Sequence, residues 1–596
     1  MRQKNKQKSK KGMQKQTTIF TYLKKYSVKI LIAMALVFFQ AILNLELPNL
    51  MSDIVDKGII TQDMSQVYTY GYKMLEVTII ASIANMFATF LASKVSSGFA
   101  RDLRNAMVRK VESFSFNEFN KVQTSSLITR TTNDVTQIQN LTLMMIRMMI
   151  QAPLMCIGCI IMAVSKNIQL SVMFTIVIPL LLVIIVLVAG KVVPLFTKIQ
   201  KYTDRLNQII REKLTGVRVI RAFSKEKYEA KRYDKANHDI YDVMLKAGYI
   251  MSSMMPILLF FVNTSTVAVI WFGSHLVNSG SMQIGDMMAF MQYAIQVLFS
   301  IMMVAVLFIM IPRAIVSAKR IDEVLRMNSS IKDNGKRVEI ENNPNSGTIK
   351  FDNVGFSYGG SDESVLSNIS FEVKKGKTLA IIGGTGSGKS TIINLLLRFY
   401  DTTSGNISVG GYNIKDISLE SLRDMIGFVP QKVNLFSGTI AENVRYGKQN
   451  ASDAEVVEAL KIAQAYDFVS KMDDTINSHV AQGGTNFSGG QKQRISIARA
   501  IVKRPQVYVF DDSFSALDFK TDAALRKALN ENVGDATVII VAQRVSTILN
   551  ADNIIYIDEG KIIAQGTHKQ LFNSCEPYRQ LVMSQITQKE AESSGK

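Results

Sequence analysis

The sequence has 596 residues, of which 47% are hydrophobic and 20% are charged, and its mean hydropathy is +0.13. This balance is unlike that of an ordinary soluble protein and predicts a membrane part and a soluble part averaged together. The net charge of +20 does not indicate a nucleic-acid-binding protein, because the basic residues do not form one patch.

The chain opens with a basic segment, residues 1–27, and no acidic residue occurs before Glu46. A basic segment in front of an apolar run predicts cytoplasmic anchoring beside anionic lipid. The first apolar run begins near Ile30, too late for a signal peptide, and no small-residue cleavage pattern follows it. The basic residues of this segment include Arg2, Lys4, Lys6, Lys8, Lys10, Lys11 and Lys15.

Residues 28–326 carry six apolar runs. Each run is long enough to cross a bilayer core of about 30 Å as a helix of around 20 residues. Between Ala247 and Pro312 the only Asp, Glu, Lys or Arg is Asp286, which a buried helix of a soluble domain does not explain. The predicted spans are 28–47, 70–93, 144–164, 168–190, 249–276 and 285–311.

The loops between the runs predict the orientation. Segments 94–143 and 191–246 are long and rich in Arg and Lys, whereas segment 48–72 holds three Asp and one Lys. The positive-inside rule therefore places the long segments and both termini in the cytoplasm. Their helical periodicity predicts extensions below the membrane, with tips near Phe116–Lys121 and Ala222–Tyr228.

The composition changes after the last apolar run. Residues 327–347 are polar and rich in turn formers, which predicts a linker. Residues 348–584 alternate short β-rich runs with helices, the pattern of an α/β domain, and residues 585–596 form a polar tail. The predicted fold is therefore an all-α transmembrane domain of six helices followed by an α/β domain.

The segment from Gly383 to Ser390 fits the pattern G-x-x-x-x-G-K-[ST], between an apolar strand and a helix, and it predicts that the α/β domain is a P-loop NTPase domain. Backbone amides of such a loop converge on phosphate oxygens, and the helix N-terminus adds positive potential. We expect Lys389 to contact the β- and γ-phosphates and Ser390 to bind Mg²⁺. The predicted phosphate-binding residues are Gly383, Gly384, Thr385, Gly386, Ser387, Gly388, Lys389, Ser390 and Thr391.

A second phosphate-site motif ends at Asp511. The run 507–511 is a buried-strand pattern that closes on this carboxylate, as a Walker B strand does. We expect Asp511 to reach the Mg²⁺ ion that accompanies ATP.

The string Ser488-Gly489-Gly490-Gln491 opens a predicted helix and resembles the signature motif of the ATP-binding cassette (ABC) transporter family. Six spans followed by one cassette resemble the half-transporter exporter layout of this family. The resemblance implies that two cassettes sandwich each ATP, with the signature of one completing the Walker site of the other. It further assigns Tyr358 to adenine stacking, Gln431 to the Q-loop and Mg²⁺, Ser515 and Asp518 to the D-loop, and 481–485 to the loop facing the coupling helices.

Two residues depart from the family pattern. Asp512 stands where the family has a glutamate that polarises the attacking water, and Gln543 stands where it has a switch histidine. Asp is one methylene shorter than Glu, so its carboxylate falls short by about 1–1.5 Å, a misplacement that can cost on the order of 10²-fold in rate. Gln can hydrogen-bond phosphate, but it cannot become cationic. We expect a site that binds ATP and hydrolyses it poorly.

These features resemble the degenerate subunit of bacterial heterodimeric multidrug ABC exporters in the plasma membrane. The expected partners are a different half-transporter, membrane lipid and a small hydrophobic or cationic substrate. Glu46 and Glu76, at or within spans, are functional candidates, and Glu76 is a candidate for meeting a cationic substrate, with a place at the headgroup level as the alternative. A homodimer with two slow sites, a regulatory or sensor subunit without transport, and a lipid or peptide exporter remain alternatives.

Overall fold

A computed structural model describes residues 19–333, 335–338, 345–359 and 363–585, with the side chains of 305, 306, 308 and 309 left out. Contacts divide the chain into two compact units, Met1–Glu112 with Thr124–Met327, and Ser113–Gln123 with Asn328–Lys596. Most of the predicted basic segment and all but the first residue of the predicted polar tail lie outside the described residues.

The first unit consists of helices. A short helix, α1 (Ile19–Lys24), precedes α2 (Ser27–Ile54), which continues through a π-helical turn at Val55–Ile59. A second π-helical turn, Arg130–Asp134, joins α5 to α6. In chain order the helices after α2 are α3 (Met64–Glu112), α4 (Phe116–Val122), α5 (Thr124–Thr129), α6 (Val135–Lys166), α7 (Ile168–Thr215), α8 (Val217–Ala222), α9 (Glu226–Asn278) and α10 (Ile284–Arg326).

Six helices in the described part of the chain are long and apolar enough to cross a membrane, which confirms the predicted number of spans. Several extend far beyond their apolar runs, because polar residues continue the helix without a breaker. The second span was predicted over 70–93, and its helix runs over Met64–Glu112. Both predicted tips lie where the long helices are interrupted. The short helix α4 covers the first tip, and the turn between α8 and α9 lies within the second.

Small residues bring α2 and α3 together. Ala81, Ala84, Ala88 and Ala92 are all buried and recur at helical spacing along one face of α3, the helix packed along α2. Helices associate closely in a membrane where small side chains let their backbones approach. Deeper in this unit, the rings of Phe174 and Phe290 stack with centroids 5.5 Å apart.

One end of the helical unit holds a polar group that we call the Asp286 cluster, formed by Ser52, Asp56, Lys166, Gly285 and Asp286. The Asp286 carboxylate accepts hydrogen bonds from Lys166 Nζ at 2.7 Å and Ser52 Oγ at 2.9 Å. Asp56 accepts the Gly285 backbone N–H at 2.7 Å, so a residue of the first span caps the last one. A Cβ on Gly285 would lie 2.4 Å from the Ser52 carbonyl oxygen, which explains glycine there.

The second unit is built on a six-stranded sheet of order β12-β11-β3-β10-β9-β6, with a four-stranded antiparallel sheet of order β2-β1-β4-β5 beside it. From β11 to β6 the neighbours are parallel, and β12 is antiparallel at the edge. The strands are β1 (Ile349–Phe356), β2 (Leu366–Val373), β3 (Thr378–Gly383), β4 (Ser404–Val409), β5 (Tyr412–Asn413), β6 (Ile426–Val429), β7 (Gly438–Thr439), β8 (His479–Val480), β9 (Val507–Asp511), β10 (Thr537–Val541), β11 (Asn553–Asp558) and β12 (Lys561–Gly566).

Helices cover this sheet, and one-turn 3₁₀ helices interrupt its loops. The 3₁₀ helices are Thr475–Asn477, Gln482–Gly484 and Val545–Thr547. The α-helices of the second unit, after α4, are α11 (Lys389–Leu396), α12 (Leu419–Asp424), α13 (Ile440–Arg445), α14 (Asp453–Ile462), α15 (Tyr466–Val469), α16 (Gly489–Ile501), α17 (Phe519–Asn532), α18 (His568–Ser574) and α19 (Glu576–Met583). The observed α/β domain confirms the predicted fold class.

The central strands separate two hydrophobic cores. Successive side chains of a strand point to opposite faces. Ile381 and Val509 accordingly pack into one core with the antiparallel sheet and α11, whereas Ile382 and Phe510 pack into the other core with α14 and α16. A sheet buried on both faces needs continuous apolar strands, as the sequence of β9 and β10 provides.

The segment 113–123, which joins α3 to α5, groups with the second unit. Its helix α4 begins with a capping box, in which Ser115 caps the helix and Glu118 accepts the Ser115 N–H at 3.0 Å. The second Glu118 oxygen accepts the Ser330 N–H at 3.2 Å. The ring of Phe116 lies 4.7 Å from that of Phe399, and Asn120 donates to Tyr400 at 3.2 Å.

The predicted linker 327–347 is described in part. Its described residues form hydrogen bonds within the second unit, including Ser418 N–H to the Lys336 carbonyl at 3.1 Å. The Arg398 side chain likewise donates to the Lys332 carbonyl. The described residues on both sides of residue 334 are therefore tied to the α/β domain.

Candidate nucleotide-binding site

Four functional segments follow the carboxyl ends of four parallel strands. The Gly-rich loop follows β3, Gln431 follows β6, Asp512 follows β9 and Gln543 follows β10. Because these strands are parallel neighbours in one sheet, their carboxyl ends meet at one edge. Ligands of open α/β sheets bind in the crevice outside that edge. Residues more than a hundred positions apart in sequence therefore face one crevice.

The Gly-rich loop has a backbone that only glycine adopts without strain. Gly388 has φ +100° and precedes α11 directly. A Cβ there would lie 2.6 Å from Leu366 Cδ2. At Gly383 a Cβ would lie 2.0 Å from the Ile557 carbonyl oxygen, so the loop passes close to β11. These two glycines let the loop fold tightly in front of the N-terminus of α11.

Lys389 lies in the crevice, and its ammonium group contacts the Gly-rich loop that precedes it. Its Nζ donates to the carbonyl oxygens of Gly383 at 2.9 Å and Gly384 at 2.6 Å. Burial lowers the pKa of Lys389, while the Asp512 and Asp511 carboxylates act in the opposite direction. A phosphate group beside this ammonium favours its charged form.

Asp511 is buried and accepts a hydrogen bond from Ser390 Oγ at 3.3 Å. Burial raises its pKa, the Ser390 hydrogen bond lowers it, and the neighbouring Asp512 charge raises it further. A cation at this position favours the ionised carboxylate. The structure thus pairs the hydroxyl and the carboxylate that the sequence predicts as Mg²⁺ ligands.

The Asp512 carboxylate is held by two amides. Gln543 Nε2 donates to Asp512 Oδ2 at 2.9 Å, and Gln431 Nε2 donates to the same oxygen at 3.1 Å. Asp512 also has φ +48°, in the left-handed region that non-glycine residues seldom adopt. The two residues that depart from the family pattern are therefore in direct contact, and the Q-loop glutamine joins them.

A cavity of about 380 Å³ opens among these residues. Tyr358 stands at its rim, with its hydroxyl 3.1 Å from Thr391 Oγ1 and its ring edge-on to that of Tyr400. Tyr358 is 36% exposed. The cavity is lined by Tyr358, Val365, Thr385, Gly386, Ser387, Gly388, Lys389, Ser390, Thr391, Gln431, Asp511, Asp512, Val541 and Gln543.

The signature residues are absent from that described lining. Ser488 caps α16, its Oγ accepting the Gln491 N–H at 3.3 Å while the Gln491 side chain accepts the Ser488 N–H at 2.9 Å. A Cβ on Gly489, the first residue of α16, would meet nothing within 4 Å. The N-terminus of α16 thus lies outside the described lining of this cavity.

The D-loop residues bond locally. Ser515 Oγ donates to the Asp512 carbonyl at 2.9 Å, next to the residue held by the two glutamines. Asp518 caps α17 and accepts the Thr521 N–H at 2.9 Å, and that backbone bond lowers the pKa of Asp518. The loop 481–485 contains a one-turn 3₁₀ helix.

Sequence reasoning did not predict Val365 and Val541 in the cavity lining, and it missed Gln585 beside the site. Gln585, expected at the start of a polar tail, donates to the Gln543 carbonyl at 3.0 Å and accepts the Val545 N–H at 2.8 Å. Its polarity gave no signal, because a glutamine after an amphipathic helix is usually solvated.

Comparison with known proteins identifies both parts of the chain. Residues 30–302 match the family model described as ABC transporter transmembrane region, and residues 366–515 match the family model described as ABC transporter. An uncharacterized ABC transporter ATP-binding protein of Mycobacterium tuberculosis is 39% identical over 95% of this chain and 97% of its own length. One of Bacillus subtilis is 37% identical over 96% of this chain and 99% of its own length.

An ATP-dependent lipid A-core flippase of Syntrophus aciditrophicus is 31% identical over 81% of this chain and 80% of its own length. The solved structure of a bacterial Atm1-family ABC exporter with ATP bound covers 94% of this chain and 99% of its own chain with a TM-score of 0.78. At 24% identity that structure supports the fold.

The chain therefore belongs to the ABC transporter family. Its layout of six membrane helices followed by one cassette is that of a half-transporter of the exporter type. It is a multi-pass membrane protein whose cassette binds ATP and couples ATP hydrolysis to transport.

Proposed function

We propose that this chain is the nucleotide-retaining subunit of a heterodimeric ABC exporter. Its own Walker site binds ATP with Mg²⁺ and hydrolyses it poorly. Its signature motif, Ser488 to Gln491, completes the hydrolytic site of a different half-transporter. The observation that carries this proposal is the contact of Asp512 with both Gln543 and Gln431.

The same contact supports weak hydrolysis at this chain's own site. A carboxylate that polarises water must offer an oxygen to the water's proton. In this chain one oxygen of Asp512 already accepts two amide hydrogens, and the side chain is one methylene shorter than the glutamate of the family. Gln543 has no second protonation state, so it cannot assist by becoming cationic.

The Mg²⁺ ion fits the donor set of the site. Hard cations of this size bind oxygen ligands, usually one or two from protein with the rest from phosphates and water. Ser390 Oγ and the Asp511 carboxylate lie within 3.3 Å of each other, and Gln431 uses its nitrogen on Asp512, so the ligand it offers is its amide oxygen. The ion would neutralise charge on the β- and γ-phosphates.

The intact signature supports a role across a dimer. The N-terminus of α16 carries donors for a phosphate, yet its residues are absent from the described lining of this chain's own cavity. A second cassette supplies the phosphate they serve. We expect that second chain to carry Glu and His at the positions of Asp512 and Gln543, and an eroded signature.

The substrate we propose is hydrophobic or cationic and moves outward across a bacterial plasma membrane, with both termini in the cytoplasm. The basic segments 94–143 and 191–246 support this orientation through the positive-inside rule. The relative named as a lipid A-core flippase supports an amphipathic, lipid-like substrate as a second candidate.

The test is to restore the family residues. We expect Asp512→Glu with Gln543→His to raise ATP hydrolysis by the purified chain in lipid nanodiscs on the order of 10²-fold, because the carboxylate regains its reach. Lys389→Met added to this pair is the matched control and should abolish the gain. A pair of substitutions that leaves hydrolysis unchanged would falsify the account of Asp512 and Gln543.

A further inference from the structure

The switch loop, residues 542–547, follows β10 and carries Gln543 to Asp512. Its backbone is bonded on both sides of Arg544 by one side chain, that of Gln585. The Gln585 amide nitrogen donates to the Gln543 carbonyl at 3.0 Å, and its amide oxygen accepts the Val545 N–H at 2.8 Å. The planar side-chain amide of Gln585 therefore bridges the backbone groups of Gln543 and Val545.

These two hydrogen bonds pair with backbone groups of the switch loop, the Gln543 carbonyl and the Val545 N–H. Val545 is the first residue of the one-turn 3₁₀ helix, and no side chain of the loop caps that helix. Val545 is fully buried, so an unpaired N–H there costs free energy. Gln585 supplies the missing acceptor from the turn that follows α19.

The helix that precedes Gln585, α19, is firmly packed. Tyr578 and Val582 of α19 are fully buried, and the Tyr578 hydroxyl lies 2.8 Å from His568 Nδ1. Beyond the end of α19 at Met583, the Gln585 N–H donates to the Val582 carbonyl at 3.0 Å. Gln585 is thus held in the turn at the end of α19.

Two further bonds leave the loop little freedom around Gln543. Arg526 of α17 donates to the Ser546 carbonyl at 2.9 Å, and Arg544 donates to the Ser515 carbonyl of the D-loop at 3.0 Å. With Gln585 in place, the Gln543 backbone is fixed and its side chain reaches the Asp512 oxygen.

We propose that Gln585 is a positioning residue for the γ-phosphate side of this site, through which α19 controls how tightly the chain retains ATP. The inference rests on the proposed function, in which Gln543 takes the place of the switch histidine, and it adds that Gln543 lies beside the γ-phosphate of the bound ATP. Gln585 touches the loop backbone and acts on the nucleotide through Gln543.

The test compares Gln585→Ala with Gln580→Ala in the full-length chain in nanodiscs of phosphatidylethanolamine and phosphatidylglycerol. Gln580 is an exposed glutamine of α19, the helix that precedes Gln585, and its side-chain amide donates to Glu576 of the same helix. The probes are AMP-PNP, which keeps a γ-phosphate and resists hydrolysis, and ADP, which has none. Dissociation rates of both are measured in the presence of Mg²⁺.

We expect Gln585→Ala to release AMP-PNP about tenfold faster, the effect of losing two neutral hydrogen bonds that position the loop. ADP release should change by less than about twofold, since ADP does not reach Gln543. Hydrogen exchange of the Val545 amide should accelerate in Gln585→Ala, and Gln580→Ala should match the wild type in all three measurements.

Three results overturn the proposal: equal acceleration of AMP-PNP and ADP release, no acceleration of either, or unchanged exchange at Val545. None of these readouts depends on hydrolysis. Failure of the proposed function, in which Asp512→Glu with Gln543→His restores no ATPase activity, is therefore separable from failure of this inference.

Discussion

At the scale of single residues, the site depends on backbone conformations as much as on side chains. Gly388 combines φ +100° with a Cβ position 2.6 Å from Leu366, whereas a Cβ on Gly384 meets nothing within 4 Å. A side chain is thus sterically excluded at Gly388 and not at Gly384, although both glycines belong to one sequence motif.

We therefore expect Gly388→Ala to destabilise the second unit by roughly 1–3 kcal/mol, because a non-glycine residue in this conformation is strained and contacts Leu366. Gly384→Ala, the matched control, should stay within about 0.5 kcal/mol. The thermal unfolding midpoint, measured without nucleotide, is the readout. Equal shifts for the two variants would show that the strain at Gly388 is not what requires glycine.

Residue motifs allowed much of the site to be predicted from sequence. The motifs place Lys389, Ser390 and Asp511 at fixed sequence distances from the ends of their strands. The strand pattern alone therefore brings these three residues to one edge of the sheet. The bond from Gln585 to the switch loop could not be foreseen, because it joins the turn after α19 to a loop 42 positions earlier and depends on how α19 packs. Local pattern carries no information about such a contact.

At the scale of elements, α4 shows how a short helix is fastened. Glu118 is 4% exposed and accepts hydrogen bonds from Ser115 and from the Ser330 backbone. Burial raises the pKa of Glu118, but the hydrogen bonds from Ser115 and Ser330 outweigh burial and leave the pKa below its usual value. The folded structure therefore favours the ionised carboxylate.

A carboxyl group with a depressed pKa stabilises the fold above its unfolded pKa, and this contribution disappears as the pH falls through the folded pKa. We expect Glu118→Gln to lower the free energy of unfolding by about 1–3 kcal/mol at neutral pH. The reason is that a Gln amide has one accepting oxygen, whereas both carboxylate oxygens of Glu118 accept hydrogen bonds. The difference from wild type in unfolding midpoint should shrink below a pH of about 4. Glu112→Gln, an exposed neighbour, is the control, and a pH-independent difference would contradict the role of charge.

The helix bounds mark where sequence reasoning reached its limit at this scale. Hydropathy predicted the apolar part of each span, since lipid sets that length. Hydropathy alone does not give the length of the polar continuation, because no membrane marks it. Helical periodicity instead predicted that this segment continues below the membrane to a tip near Phe116, and the helix of the second span runs unbroken to Glu112. The break at residues 113–115 did fall beside the predicted tip at Phe116.

At the scale of the whole molecule, the proposed function gives the Walker site and the signature motif of this chain different roles. Ser488 and Ser452 both cap helices of the cassette through capping boxes, so Ser→Ala removes a similar cap from each, worth about 1 kcal/mol. Only Ser488 belongs to the signature.

In the complex with the partner half-transporter, we expect Ser488→Ala to lower ATP hydrolysis on the order of 10²-fold, as the loss of a phosphate donor does. Ser452→Ala should leave hydrolysis within about twofold. Photolabelling of this chain's own site by an azido-ATP should be unchanged in both variants, since Ser488 lines no part of that cavity in the described residues. Parallel losses of hydrolysis would assign the effect to helix stability instead.

The Asp286 cluster has a consequence for how the helical unit can open. Under the proposed orientation it lies at the outer face, where Asp56 of the first span accepts the Gly285 amide of the last and Lys166 holds Asp286. Parting these helices releases two carboxylates, an ammonium and a backbone amide at once. Hydrocarbon offers none of them a new partner, whereas water satisfies all four. Under the proposed function, we therefore expect the outer ends to separate into a wet cleft, in which a departing substrate meets the aqueous medium before it meets lipid.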